Sequence, residues 1–328
     1  MASCRTGLQG SPAVSNSARS LPDVAYVAQP GLSGRLDWVG MDDIQAPVML
    51  VGEDDQPMRF PARVGAFVDL ARPDQRGIHM SRLYLHVDQA LSTQAVKPAL
   101  LRTLLDGFLA SHRDLSSRAL LRIRFDYLVR RRALVSDNAG WKSYPVVLTA
   151  KLEGGRFDLE LGLEVLYSST CPASAALARQ LIQQRFRADF STQDLLAREQ
   201  VAEWLGSEQG ICATPHSQRS SAEVKVRLRE DVESLPFVDL IDCIESALQT
   251  PVQTAVKRED EQAFAGLNGG NLMFCEDAAR RMQSALDRDA RITDFWLRAS
   301  HFESLHPHNA VAVASKGVPG GYLGGSTV

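Results

Sequence analysis

The chain has little cysteine, and none of it is paired in sequence: five residues, at positions 4, 171, 212, 243 and 275, with no Cys-x-x-Cys. An odd, dispersed set of this kind excludes a disulfide framework and a thiolate zinc ribbon. Excess positive charge is also lacking, since the net charge is −3, which leaves no basic field for nucleic acid. No uninterrupted apolar run approaches the roughly 20 residues of a membrane span, and no apolar segment of the secretory type follows Met1. The expectation is a cytoplasmic protein with no membrane and no nucleic-acid partner.

What is present is the composition of a soluble globular protein, 45% apolar and 23% charged over 328 residues, enough for about two domains of ordinary size. Residues 1–35 are rich in Ser, Gly, Ala and Pro without periodicity and read as a loosely ordered lead. Alternation then predicts strands near 48–51 and over 62–70, helical spacing predicts helices near 79–89 and 98–109, and alternation returns over 121–127 and 146–152. The same order recurs in the second half. Strands are predicted over 157–165 and 222–228, helices from about Ser234 and from Leu272 to Leu286, and strands over 292–297 and 309–314.

Two copies of a ββααββ unit, 36–153 and 154–316, imply an α+β protein with two antiparallel sheets, each covered on one face by a helix pair. Residues 174–212 interrupt the second copy as a helical insertion, and 317–328 form a Gly-rich tail. Sheets with open edges favour closure through assembly, so a homo-oligomer is expected.

Several residues could carry chemistry. Glu303, His306 and His308 crowd into Phe302-Glu303-Ser304-Leu305-His306-Pro307-His308, where Pro307 forbids a helix and an extended backbone would point both histidines the same way. Such a pair suits metal binding or proton transfer, and equally a solvated surface. Cys171 ends a strand just before a helical pattern capped by Thr170 or Ser174, where positive potential favours thiolate; a buried structural thiol is the plainer alternative. His216 lies in a loop before a strand. Glu261 sits in the charge run Lys257-Arg258-Glu259-Asp260-Glu261, which reads as a solvated loop. Glu276 opens a helix and is either a dipole cap or an acceptor pair facing a ligand. His79, Arg82 and the cluster Arg130-Arg131-Arg132 offer cations for phosphate or merely a solvated face.

Taken together, five stretches resemble the type IB GTP cyclohydrolases in order and character. They are Gly77-Ile78-His79-Met80-Ser81-Arg82, Cys171-Pro172-Ala173-Ser174, Thr214-Pro215-His216-Ser217-Gln218-Arg219-Ser220, Phe274-Cys275-Glu276-Asp277 and Phe302 to His308. The resemblance implies tandem tunnelling-fold modules, a homotetramer, and conversion of GTP to 7,8-dihydroneopterin triphosphate with release of formate, at the entry to folate synthesis.

It further implies a divalent metal (zinc, manganese or iron) on Cys171, His216 and Glu261 with His306 beside it, activating water for attack on C8 of guanine. In that picture Cys171, His306, His308 and Glu303 form the catalytic set, with His306 or His308 shuttling protons, Glu276 anchors the guanine edge, and His79, Arg82 and Arg219 contact the substrate. Two departures stand out. Ala173 replaces a second cysteine of the motif, and the stretch between Cys171 and His216 is long, so their pairing requires the insertion to loop out. An archaeal-type relative releasing a cyclic phosphate, or a non-catalytic purine- or pterin-binding protein, would share much of the pattern.

Overall fold

The structure is a computed structural model describing residues 31–51 and 56–325. Eight strands form one antiparallel sheet in sequence order: β1 (Leu36–Val51), β2 (Pro57–Leu70), β3 (Arg118–Arg132), β4 (Ala139–Glu153), β5 (Arg156–Thr170), β6 (Ser217–Leu228), β7 (Ile292–His301) and β8 (Ala310–Ser315). Two separate sheets were expected. Instead β4 and β5 pair from Val146↔Leu163 to Glu153↔Arg156, and the halves share a continuous ladder. The join is a hairpin at Gly154 and Gly155, with φ +58° and +80°, the conformations a two-residue turn needs and side chains resist.

Seven helices are described. Helices α1 (Met80–Thr93) and α2 (Pro98–Ser111) follow β2, and α3 (Pro172–Asp189) and α4 (Arg198–Leu205) follow β5. Helices α5 (Phe237–Leu248), α6 (Arg258–Gly270) and α7 (Cys275–Asp287) follow β6. Strand alternation decides which face they cover. In β3, Leu121, Ile123, Phe125 and Tyr127 are buried, whereas Arg122 and Arg124 face outward. Leu83, Val87 and Leu91 of α1, Leu101, Leu105 and Phe108 of α2, Ile241, Ile244 and Leu248 of α5 and Met282 and Leu286 of α7 recur at helical spacing and close over that apolar face. The other face carries Arg122, Arg124, Glu160, Glu164, Glu223 and Lys225 around an open cavity of about 480 Å³.

Three expectations need correction. The charge run at 257–261 is the start of α6, because Asp260 is buried and accepts from the backbone of Lys257, Val135 and Ser136 and from the Ser136 hydroxyl. Four donors on one carboxylate hold it well below the usual carboxylate range despite its burial. The cap of α3 is Cys171 itself, not Thr170 or Ser174. Residues 304–308 form a run of bends instead of an extended segment, since the chain must reverse between His301 and its β8 partner Ala310. The Gly-rich C-terminal tail is anchored by Tyr322: its N–H donates to Asp294 (2.8 Å), its hydroxyl to Glu160, and its ring lies under Arg227. Of the expected lead, residues 1–30 lie outside the described residues.

Candidate functional site

The C-terminal end of β5, the N-terminal end of β6 and the C-terminal end of β7 lie side by side, because Thr170 pairs with Ser217 and Ser220 with His301. Three expected residues meet there. Cys171 has extended geometry (φ −67°, ψ 122°), Pro172 takes the first helical position, and the thiol accepts from the Ser174 N–H at 3.5 Å. The Cys171 N–H donates to the His216 carbonyl (3.3 Å), and the His216 N–H donates to the Ser174 hydroxyl (3.1 Å).

The chain between them therefore does loop out. Only Ala175 and Ala178 of α3 are buried, and nothing in α4 is. Phe186, Phe190 and Trp204 pack on one another, with centroids 5.0 to 6.2 Å apart, and give the excursion its own small cluster.

Glu303 completes the group. Its carboxylate lies 3.9 Å from Nδ1 of His216, and the preceding Phe302 N–H donates to the Arg219 carbonyl. Glu276 approaches from α7, whose lead-in is tied to the same corner by the Met273 N–H donating to the Thr170 carbonyl (3.2 Å). The Glu276 side chain is exposed, and Cys275 donates its thiol proton to it (3.2 Å). Its own backbone N–H and that thiol keep the carboxyl below its ordinary value, while burial pushes the Cys275 thiol up to about 11, so it stays a donor. His306 and His308 are exposed and stack face to face, centroids 4.9 Å apart at 9°. Arg219 is exposed on β6 beside Ser168.

Other expected residues lie elsewhere within one chain. Glu261 is exposed in the first turn of α6, and among the described residues no three His, Cys, Asp or Glu side chains gather closely enough to hold a metal. His79 and Arg82 sit beyond the end of β2. The register Val68↔Ala119, Ala119↔Leu152 and Leu152↔Phe157 aligns that end with the start of β5, some 45 Å along the strands from Cys171 at ~3.3 Å per residue. Arg82 donates there to the Ser111 carbonyl (2.7 Å). In the arginine cluster, Arg131 is committed to Asp242 and Tyr144, and Arg130 lies over Trp141.

The donor set suits a divalent metal in part. A soft thiol at a helix N-terminus and an imidazole, linked through their backbones, match borderline metals. Further ligands must come to this pair from elsewhere.

Sequence reasoning missed the polar side chains beneath the site. Ser169, Gln218, Ser220 and His301 are buried, and the His301 ring bonds the Tyr167 hydroxyl at 3.0 Å. Burial pushes His301 down to about 4, so it is neutral at ordinary pH. A signal was available: inward positions of β6 are apolar from Leu228 back to Ala222 and turn polar at Ser220 and Gln218.

Residues 21–312 match the family model described as type I GTP cyclohydrolase folE2. The chain belongs to that family. It is 52% identical to GTP cyclohydrolase FolE2 of Pseudoalteromonas translucida (strain TAC 125) over 302 residues, 92% of this chain and 99% of the relative. It is 51% identical to GTP cyclohydrolase FolE2 of Hydrogenovibrio crunogenus (strain DSM 25203 / XCL-2), covering 92% and 96% of the two chains. Among solved structures, a uricase from Arthrobacter globiformis aligns with a TM-score of 0.47 at 9% identity, covering 87% of this chain and 95% of that one. Among the described residues, no helix is long and apolar enough to cross a membrane.

Proposed function

We propose that this family member is a cytoplasmic, metal-dependent GTP cyclohydrolase that converts GTP and water to 7,8-dihydroneopterin triphosphate and formate, the first step of tetrahydrofolate biosynthesis. The observation that carries the reading is the meeting of Cys171, His216, Glu303 and the Glu276 turn at one corner of the sheet, in a chain matching the family over residues 21–312.

Cys171 and His216, with Glu261 and His306, would hold the divalent metal, which when bound would supply Lewis-acid activation of water near neutral pH. The chain's own residues do the rest. Glu276 presents two acceptors to the adjacent N1–H and exocyclic amine of guanine, a donor pair that adenine lacks, so GTP is preferred over ATP. The exposed histidines, His306 and His308, move protons at the opening imidazole ring as formate leaves. Arg219 lies close enough to reach a phosphate from its own chain. His79 and Arg82 can do so only in a neighbouring copy, which is how the proposed homotetramer would complete the site; Glu261 would reach the metal by movement of α6 or from a neighbour. The open edges of β1 and β8 are where copies would join.

Incubating metal-loaded protein with GTP tests the reading. Formate and, after oxidation, pterin fluorescence are the expected products, with the linear triphosphate identified by mass spectrometry. A cyclic phosphate would place the chain with the archaeal-type enzymes, and tight GTP binding with neither product would make it a binding protein.

A further inference from the structure

A buried glutamine is expensive at the end of a strand whose inward positions are otherwise apolar, unless both ends of its amide are satisfied. Gln218 is 7% exposed and meets that demand in one way: Nε2 donates to the Ser169 hydroxyl (2.6 Å), and Oε1 faces Nδ1 of His216 (2.9 Å). Ser169 is completely buried and bonds in turn to the Ser220 hydroxyl (2.8 Å). The hydroxyls could serve the amide in either orientation, so they alone do not decide which nitrogen of His216 carries the proton.

Glu303 favours one of the two. Its carboxylate lies 3.9 Å from the same Nδ1, beyond hydrogen-bond reach but close enough that the negative charge favours a proton on Nδ1 over a lone pair. The Nδ1–H then donates to the Gln218 amide oxygen beside that carboxylate, and Nε2 is left with the lone pair a metal ion needs.

We propose that Gln218 and Glu303 are positioning residues that hold His216 in its Nδ1–H form and fix the plane of its ring, with Ser169 holding the amide in place. This rests on the reading of His216 as a metal ligand. Glu303, placed in the catalytic set by family resemblance, then acts through His216. Neutral imidazole ligands commonly donate their second nitrogen in this way, and loss of the acceptor typically costs 10–100-fold in metal affinity.

The test is metal affinity of the full-length apoprotein, measured with zinc alone against a chromophoric chelator, with the visible spectrum of the cobalt-loaded protein as a second readout. Gln218→Met, close in volume and without an acceptor, is expected to weaken zinc about 10–100-fold and to shift the cobalt bands. Gln218→Glu keeps an acceptor toward Nδ1 and should stay within a few-fold of the parent.

Unchanged zinc affinity and cobalt bands in Gln218→Met would overturn the proposal, as would equal losses in Gln218→Met and Gln218→Glu. Should Gln218→Met fail to fold, Ser169→Ala, which frees the amide to turn, is read in the same assay, and an unchanged affinity there overturns the proposal too. His216→Ala separates the underlying reading: full zinc affinity in that variant would remove His216 from the ligand set, whatever Gln218 does.

Discussion

Strand β3 in the first half and strand β6 in the second face the same helical layer, yet they end differently. Along β3 the inward positions remain apolar from Leu121 to the Phe125 and Tyr127 rings, which pack on Phe60 and Phe237. Along β6 the same alternation runs through Leu228, Val226, Val224 and Ala222, and then Ser220 and Gln218 point inward under His216. The first pattern maximises burial. The second gives some of it up for a hydrogen-bonded floor, which contributes little stability but fixes the direction of the groups above it. The functional corner is therefore where the hydrophobic code of the sheet stops.

That contrast can be broken at either end. The largest effect is expected from Cys171→Ala, which should lose bound metal and cyclohydrolase activity together while leaving the thermal transition of the apoprotein nearly unchanged, measured by metal content, formate release and calorimetry. Phe108→Ala, at a completely buried position in α2, should do the opposite: ~3–5 kcal/mol of stability lost in denaturant unfolding, with metal stoichiometry retained in the folded fraction.

His301 predicts a pH dependence. Its pKa is depressed from 6.5 to about 4 in the fold, so the unfolded chain binds the extra proton first. Its contribution is fully present above pH 6.5 and is lost as pH falls from 6.5 toward 4, on the order of 3 kcal/mol at most. His301→Gln should flatten the acid side of the stability profile over that interval, and an unaltered slope would remove His301 as its source. The smallest effect is expected from Glu276→Gln, which should keep the metal and weaken GTP binding by roughly 1.5–3 kcal/mol, read by titration calorimetry.

Much of the fold was legible because period separates strand from helix. The alternation at 121–127, 157–165 and 222–228 and the helical spacing at Leu101 to Phe108 and Phe237 to Leu248 all reappear in place. Pairing between the halves was less legible. Nothing in the β4 or β5 pattern distinguishes an edge from an interior strand, and the hairpin at Gly154-Gly155 that joins them went unread. Helix α6 was lost because charge density was read as solvation, while the buried Asp260 uses its charge to gather four donors.

At the site, the motifs picked out Cys171, His216 and Glu303, which meet, along with His79, Arg82 and Glu261, which one chain does not bring to them. Motif order along a sequence says nothing about which copy of an oligomer supplies each residue. The supporting layer of Ser169, Gln218 and Ser220 could have been recognised only by asking why an apolar alternation turns polar before its strand ends.

The central claim is that the thiol of Cys171 and the imidazole of His216 hold the metal at this corner. Replacing the metal with cobalt and recording the near-ultraviolet spectrum tests it most directly, because a thiolate bound to cobalt gives an intense charge-transfer band. The account predicts that band in the parent protein, its loss in Cys171→Ala, and its persistence in Cys243→Ala, whose half-buried thiol lies on α5 away from the site. A band that survives Cys171→Ala, or a cobalt-loaded parent without one, would contradict it.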